Sequence, residues 1–277
     1  MKRTFSKFRK LFYIPASIRI LIDYRDAIRV LTWKDFQARF RGSIFGILWA
    51  LAQPLLMMVV YTLVFSYFLK VRFNASDSPY IFAVYLLCGL VPWNAFNEGI
   101  NTSCSLMRAN PNLIKKVVFP LEILPINLTL VTMIQQCIGL ILLLFLTIIV
   151  TGTLHWQFVF ILIFLLLQFI LQTGLSWILS SLSVFIPDIR IAISLIMLLL
   201  MFVTPIMYPE NLIPDRAHFL VTLNPIAHII NMYRNVLMEG RIPAIGSWLW
   251  ATGFSLVFWL IGYIFFSRTK RAFPDYL

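Results

Sequence analysis

Glu98 is the acidic side chain set deepest in an apolar run of this chain, and Asn94, Asn97, Asn101 and Ser105 lie on or beside its helical face. A carboxylate at such a position marks either a polar network, here Asn94, Glu98 and Asn101, or the lining of a path. Counted from Tyr80 at about 1.5 Å per residue, through a core about 30 Å thick, Glu98 falls near the inner headgroups. Aromatic rings supply a second chemistry. Tyr61, Phe65 and Phe68 share a helical face with Pro54, and Tyr85, Trp93 and Phe96 recur in the next run. Flat rings stack on sugar faces, so Tyr61, Phe65, Phe68, Trp93 and Phe96 are candidates for a glycan path. Lipid-facing packing and interfacial belts are the commoner uses of such rings.

A third pattern is cationic. Arg108–Glu122, RANPNLIKKVVFPLE, sets Lys115 and Lys116 among Leu113, Ile114 and Phe119, between Asn110-Pro111 and Pro120. It is too short to span a bilayer, which takes about 20 apolar residues. It is suited to lie at the membrane face, either as an orientation signal or as a docking helix for a soluble subunit. Catalytic patterns are missing. No glycine precedes a lysine, so the phosphate-cradling GxxxxGK[ST] loop is absent and the chain does not bind ATP that way. His155, His218 and His228 lack metal-ligand spacing, and Cys88, Cys104 and Cys137 read as small apolar fillers. No cofactor or metal site is expected in this chain.

These residues are carried by an integral membrane protein. Apolar residues make up 60% of 277, charged residues 12%, and mean hydropathy is +0.87, outside the soluble range. Six spans are expected: Ser43–Leu69, Tyr80–Met107, Ile123–Thr151, Trp156–Ile186, Ile189–Tyr208 and Ser247–Ser267. With the N-terminus inside, inner segments hold eighteen of the 23 Lys and Arg, and only Lys70, Arg72, Arg216, Arg234 and Arg241 fall outside. The positive-inside rule therefore predicts both termini in the cytoplasm, and it absorbs the net positive charge without nucleic acid. Residues 1–42 form a basic cytoplasmic segment in which Leu21, Tyr24, Ile28 and Leu31 face away from Arg19, Asp23, Asp26 and Lys34. That is the pattern of an amphipathic interface helix. Residues 43–267 are the six-span domain and 268–277 a cytoplasmic tail.

The outer loop 209–246 holds one more element. Asn224-Pro225 is a cap and first turn, and Gly240 a stop. Between them Ile226, Ile229, Ile230, Tyr233 and Leu237 repeat at helical spacing, with Asn231, Arg234 and Asn235 expected to face away. This helix is too short and polar to cross; it either caps the bundle or re-enters the outer leaflet as a gate, with Asn224, Pro225, Tyr233 and Arg234 as gate residues.

Four stretches carry a family resemblance: WKDFQARFRGSIFGILWALAQP (33–54), NPNLIKKVVFP (110–120), TPIMYP (204–209) and LNPIAHIINMYRNVLMEG (223–240). Together with six spans they resemble the permease subunit of ABC-2-type exporters of cell-surface polysaccharide, such as O-antigen, capsule and teichoic acid. The resemblance implies an all-α membrane domain that is not itself an enzyme. It implies a homodimer, two cytoplasmic ATPase subunits that carry the ATP and Mg, and an undecaprenyl-linked glycan as cargo. It marks Asn110, Leu113, Ile114, Lys115, Lys116, Phe119 and Pro120 as an ATPase-coupling helix, 209–246 as re-entrant gate helices and 1–42 as an interface helix. The ending FSRTKRAFPDYL departs from the acidic-aromatic ending of that family and inherits no role. A secondary transporter, or a membrane-embedded enzyme acting on glycans or lipids, are the alternatives from the residues alone.

Overall fold

The computed structural model describes residues 16–68, 79–116, 119–153, 155–208, 210 and 213–277. Every regular element among them is helical. In chain order these are α1 (Ala16–Asp23), α2 (Arg25–Ala38), α3 (Trp49–Tyr61), α4 (Pro79–Leu106), α5 (Pro111–Lys116) and α6 (Ile123–Thr151). They are followed by α7 (Ile161–Phe185), α8 (Ile189–Val203), α9 (His218–Thr222), α10 (Pro225–Leu237), α11 (Ile245–Thr269) and α12 (Phe273–Tyr276).

Five helical stretches are long and apolar enough to cross a membrane: Gly46–Phe65, Tyr80–Leu106, Ile123–Thr151, Trp156–Phe185 and Ile245–Tyr276. The fifth expected span, Ile189–Tyr208, differs. Its helix, α8, ends at Val203 after 15 residues, about 22 Å against a hydrocarbon core of about 30 Å. The reason is Pro205. A residue before proline is driven out of the helical region, and Thr204 is extended at φ −74°, ψ 129°. The chain then turns inward, and Ile206 is fully buried.

The bundle is held by close backbone contact between α7 and α11. A Cβ on Gly174 would stand 2.5 Å from the Phe258 carbonyl, and one on Gly262 would strike the Gly174 carbonyl. Ser255 Oγ donates to the Leu167 carbonyl across the same seam at 3.0 Å. Between apolar helices in lipid, burial supplies little drive, so small residues that admit close packing take its place. α4 is the most enclosed of the long helices and packs against α6 and α7. Gln172 lies across Gly99 of α4 and donates to Thr132 Oγ1 of α6 at 2.8 Å. Gln168 reaches the Pro92 carbonyl at 3.0 Å.

Two expectations, one about the first span and one about the amphipathic segment before it, change. Beyond Tyr61 the helix widens into a π-helix over Thr62–Phe68, so α-helical spacing no longer aligns side chains there. Phe65 packs toward Tyr61 and Phe82, with ring centres at 6.3 and 5.6 Å, whereas Phe68 is exposed beside Tyr67. Leu69 lies outside the described residues. The amphipathic segment is two helices rather than one, broken at Tyr24 (φ −112°, ψ 18°). Ile28, Thr32 and Phe36 are its buried residues in α2 and Tyr24 is exposed; residues 1–15 lie outside the description.

The Gly174–Gly262 crossing is testable. Overpacking of a tight core costs about 1–3 kcal/mol, and here the obstacle is backbone, which has no rotamer to yield. Gly262→Val and Gly174→Val should reduce folded yield and lower the melting temperature in detergent. Gly253→Ala, where an added Cβ meets nothing within 4 Å, should behave as the parent. Equal behaviour of all three would show that the crossing does not need glycine.

Candidate functional site

At one end of the bundle, α1, α2, α5, α12 and the tips of α4, α6, α7 and α11 share a single apolar cluster. Ile28, Met107, Ile114, Ile123, Trp177 and Phe273 are among its buried members. The segment expected to couple to a partner lies on it. Asn110 Nδ2 donates to the Leu106 carbonyl at 2.9 Å, and the Leu113 amide to the Asn110 carbonyl at 3.2 Å, which turns the chain from α4 into α5. Ile114 points into the cluster, Leu113, Phe119 and Pro120 are half-buried, and Pro111, Asn112 and Lys115 face outward. The Lys116 side chain and residues 117–118 lie outside the description. Arg108 donates to the Ser183 and Val184 carbonyls at the end of α7, at 3.3 and 3.2 Å. There a cation meets the negative pole of a helix.

The tail, to which the sequence assigned nothing, is built into this end. Lys270 pairs with Glu122, which is 3% exposed, and the Glu122 carbonyl accepts from Trp177 Nε1 at 3.1 Å. Phe273 is fully buried beside Phe185 and Phe266, with ring centres at 6.1 and 5.5 Å. α12 therefore packs on both α5 and α7.

A polar seam runs from this end into the bundle. Thr32 Oγ1 donates to Asn127 Oδ1 at 2.7 Å, and Asn127 Nδ2 to Asp35. One turn on, Arg39 pairs with Glu98 and donates to Gln135 Oε1 at 2.8 Å. Glu98 is thus joined to α2 and α6. Asn101 sits elsewhere in the seam: it donates to Asn97 and accepts from Ser194 of α8 at 2.9 Å. Asn94 is exposed and lines, with Glu98, Gln53, Gln135, Gln136 and Tyr61, a cavity of about 350 Å³ between α3, α4 and α6. Trp93 and Phe96, by contrast, are 1% and 3% exposed, so within this chain both rings are occupied by core neighbours. Arg39, Gln53, Gln135 and Gln136 escaped the sequence reading. For the three glutamines the signal was there, as amides interrupting otherwise apolar helices.

The other end holds α10. Asn224 accepts from the Ile226 amide at 3.2 Å with Pro225 in the first turn, and Gly240 takes φ +59° beyond the helix, all as the sequence predicted. Ile226, Ile229, Ile230, Tyr233 and Leu237 are buried. Arg234 does not face away, however. It is 4% exposed and donates to the Pro205 and Ile206 carbonyls. Its guanidinium carbon lies 3.6 Å from the Tyr85 ring centre. Asn224 Nδ2 donates to Thr204 Oγ1 at 2.8 Å. α10 therefore closes the broken end of α8, and Tyr233 reaches back to Gln136 at 3.2 Å. Of the expected gate stretch 209–246, residues 209, 211 and 212 lie outside the described residues.

Residues 26–238 match the family described as ABC-2 type transporter. The chain belongs to this family. It is 31% identical over 255 residues to the O-antigen export system permease protein RfbA of Klebsiella pneumoniae, covering 91% of this chain and 95% of that one. It is 28% identical over 257 residues to the RfbA protein of Myxococcus xanthus, with 92% and 96% covered. The polysialic acid transport protein KpsM of Escherichia coli is 24% identical over 246 residues, covering 88% and 94%. The ABC-2 match takes in α5, the polar seam and α10, and ends before α11 and the tail.

The grip of Arg234 leads to a prediction. Arg234→Met leaves two buried carbonyls without donors, at about 1–3 kcal/mol each. It should lower both folded yield and melting temperature. Arg234→Lys offers a compact charge in place of a planar fork and should recover only part. Arg241→Met, at an exposed position, should melt with the parent. A parental melting curve for Arg234→Met would remove the strut reading.

Proposed function

We propose that this ABC-2 protein is the membrane permease subunit of an exporter that moves lipid-linked cell-surface polysaccharide, of O-antigen or capsule type, across the cytoplasmic membrane. The observation that carries the reading is the alignment, over nine-tenths of the chain, with permeases named for O-antigen export. Energy comes from ATP and Mg on a separate ATPase, since this sequence has no phosphate-cradling loop. In this reading two copies assemble with two ATPase subunits, and an undecaprenyl carrier brings the glycan.

Orientation follows charge. Arg19 of α1, Arg25, Arg29 and Lys34 of α2, Arg108, Lys115, Arg268 and Lys270 gather at one end, and Arg216 and Arg241 lie toward the other. The first end belongs in the cytoplasm by the positive-inside rule. α8, though short, completes a sixth crossing with the buried turn 204–206, and α9 and α10 re-enter from the outer side as the gate. α5 is the coupling helix. Ile114 anchors it to the bundle, and Asn112 and Lys115 are the side chains offered to the ATPase.

Two measurements test this. Cells lacking the permease should lose surface polysaccharide and regain it with the intact chain. Asn112→Asp with Lys115→Glu should cut the ATPase that co-purifies, and surface glycan with it, several-fold at unchanged permease abundance. Full ATPase recovery with that pair would show that α5 is not the docking face.

A further inference from the structure

The cavity between α3, α4 and α6 is polar where a lipid-facing surface should not be. Asn94 is in the middle of α4, Gln135 and Gln136 in the middle of α6, and Gln53 in the early turns of α3. Gln53 and Asn94 are exposed and Gln135 is half-buried. Lipid tails offer no hydrogen bonds, and an amide left without them costs several kcal/mol. Gln135 is served by Arg39 and reaches Gln53 Oε1 at 3.5 Å, so it is the Asn94 amide and Gln53 Nε2 that must meet water or a hydrogen-bonding ligand.

Gln136 sharpens the point. It is 2% exposed, and its Nε2 is spent on Gln168 Oε1 at 2.9 Å and Tyr233 Oη at 3.2 Å. Its Oε1 is a buried acceptor with no partner, on a residue that lines the cavity. A built site with one acceptor left open is a site short of a donor.

Charge narrows the ligand. Among the described residues the lining holds one carboxylate and no cation, and that carboxylate, Glu98, is already paired with Arg39. A phosphate would find no cation here, and a cation would have to compete with Arg39. What remains is a neutral group rich in hydroxyls. Tyr61 and the apolar walls suit the C–H faces of a sugar ring, and about 350 Å³ lies within the range of small-molecule sites, about 300–1,000 Å³.

We propose that this cavity is a sugar subsite on the export path. Ring hydroxyls donate to Gln136 Oε1 and Glu98, accept from the amides of Asn94 and Gln53, and lay one ring face against Tyr61. The inference rests on the export reading, and it moves the path from the exposed Phe68 to a polar slot flanked by Tyr61. Amides of this kind exchange partners readily, so successive sugars are recognised without any one being trapped.

The test uses the full permease with its ATPase in inverted membrane vesicles without ATP. Cys88, Cys104 and Cys137 are replaced by alanine, and Asn94→Cys is introduced. Aminoethyl methanethiosulfonate should label this cysteine, whereas Leu162→Cys on the exposed face of α7 should stay unlabelled. Labelling of Asn94→Cys should slow several-fold in vesicles from cells that make the lipid-linked glycan. It should be unchanged in vesicles from cells that make only the carrier phosphate. Equal rates in both kinds of vesicle would mean a hydrated pocket without a sugar and would overturn the proposal. Protection by carrier phosphate alone, or no labelling anywhere, would overturn it too. In cells, Gln53→Leu with Asn94→Leu should lower surface glycan several-fold at normal permease and ATPase levels, and Gln53→Asn with Asn94→Gln should restore most of it. Normal surface glycan in cells lacking the permease is a separate result, and would count against the export reading instead.

Discussion

The bundle depends on how one interruption in an apolar helix is satisfied. Pro205 ends α8 and leaves the carbonyls of Pro205 and Ile206 inside the protein, where neither water nor a next helical turn can serve them. Non-helical backbone at membrane depth is tolerated only when other protein groups supply its hydrogen bonds. Arg234 does so with its planar fork, while Tyr85 covers the guanidinium face. Because Arg234 sits on α10, the helix is drawn into the bundle, where Tyr233 then meets Gln136. The end of α8, the burial of α10 and the hydrogen bond that Gln136 gives to Tyr233 are thus consequences of a single proline.

At the opposite end a different economy holds. α5 has six residues, too few to be stable on its own in water, where isolated helices need about 12–15. It holds its shape because Ile114 belongs to an apolar cluster that also contains Ile28 of α2 and Phe273 of the tail. A push on α5 is therefore felt by the amphipathic helices, by α7 through Arg108 and by α11 through Lys270 and Glu122. The Arg39–Glu98 pair extends the same connection toward the polar cavity. α5 and the cavity are joined by a continuous run of contacts.

The sequence by itself determined the class of the protein, the five long crossings, the family and the cap of α10. These rest on composition, on runs of apolar residues and on turn chemistry such as Asn224-Pro225, all of them local along the chain. Tertiary structure decided where the polar side chains go. Arg234 was expected outward because its neighbours Asn231 and Asn235 suggested a wet face. It turned inward because two carbonyls from Pro205 and Ile206, far away in sequence, needed donors. Gln53, Gln135 and Gln136 converge on one cavity only once α3 and α6 are packed together, and no spacing within either helix announces that. Likewise the span of α3 could be read from hydropathy, but the π-helix that separates Phe68 from Tyr61 could not. Hydrophobicity is a property of each residue and sums along the chain, whereas hydrogen-bond satisfaction belongs to pairs and waits for the fold to choose them.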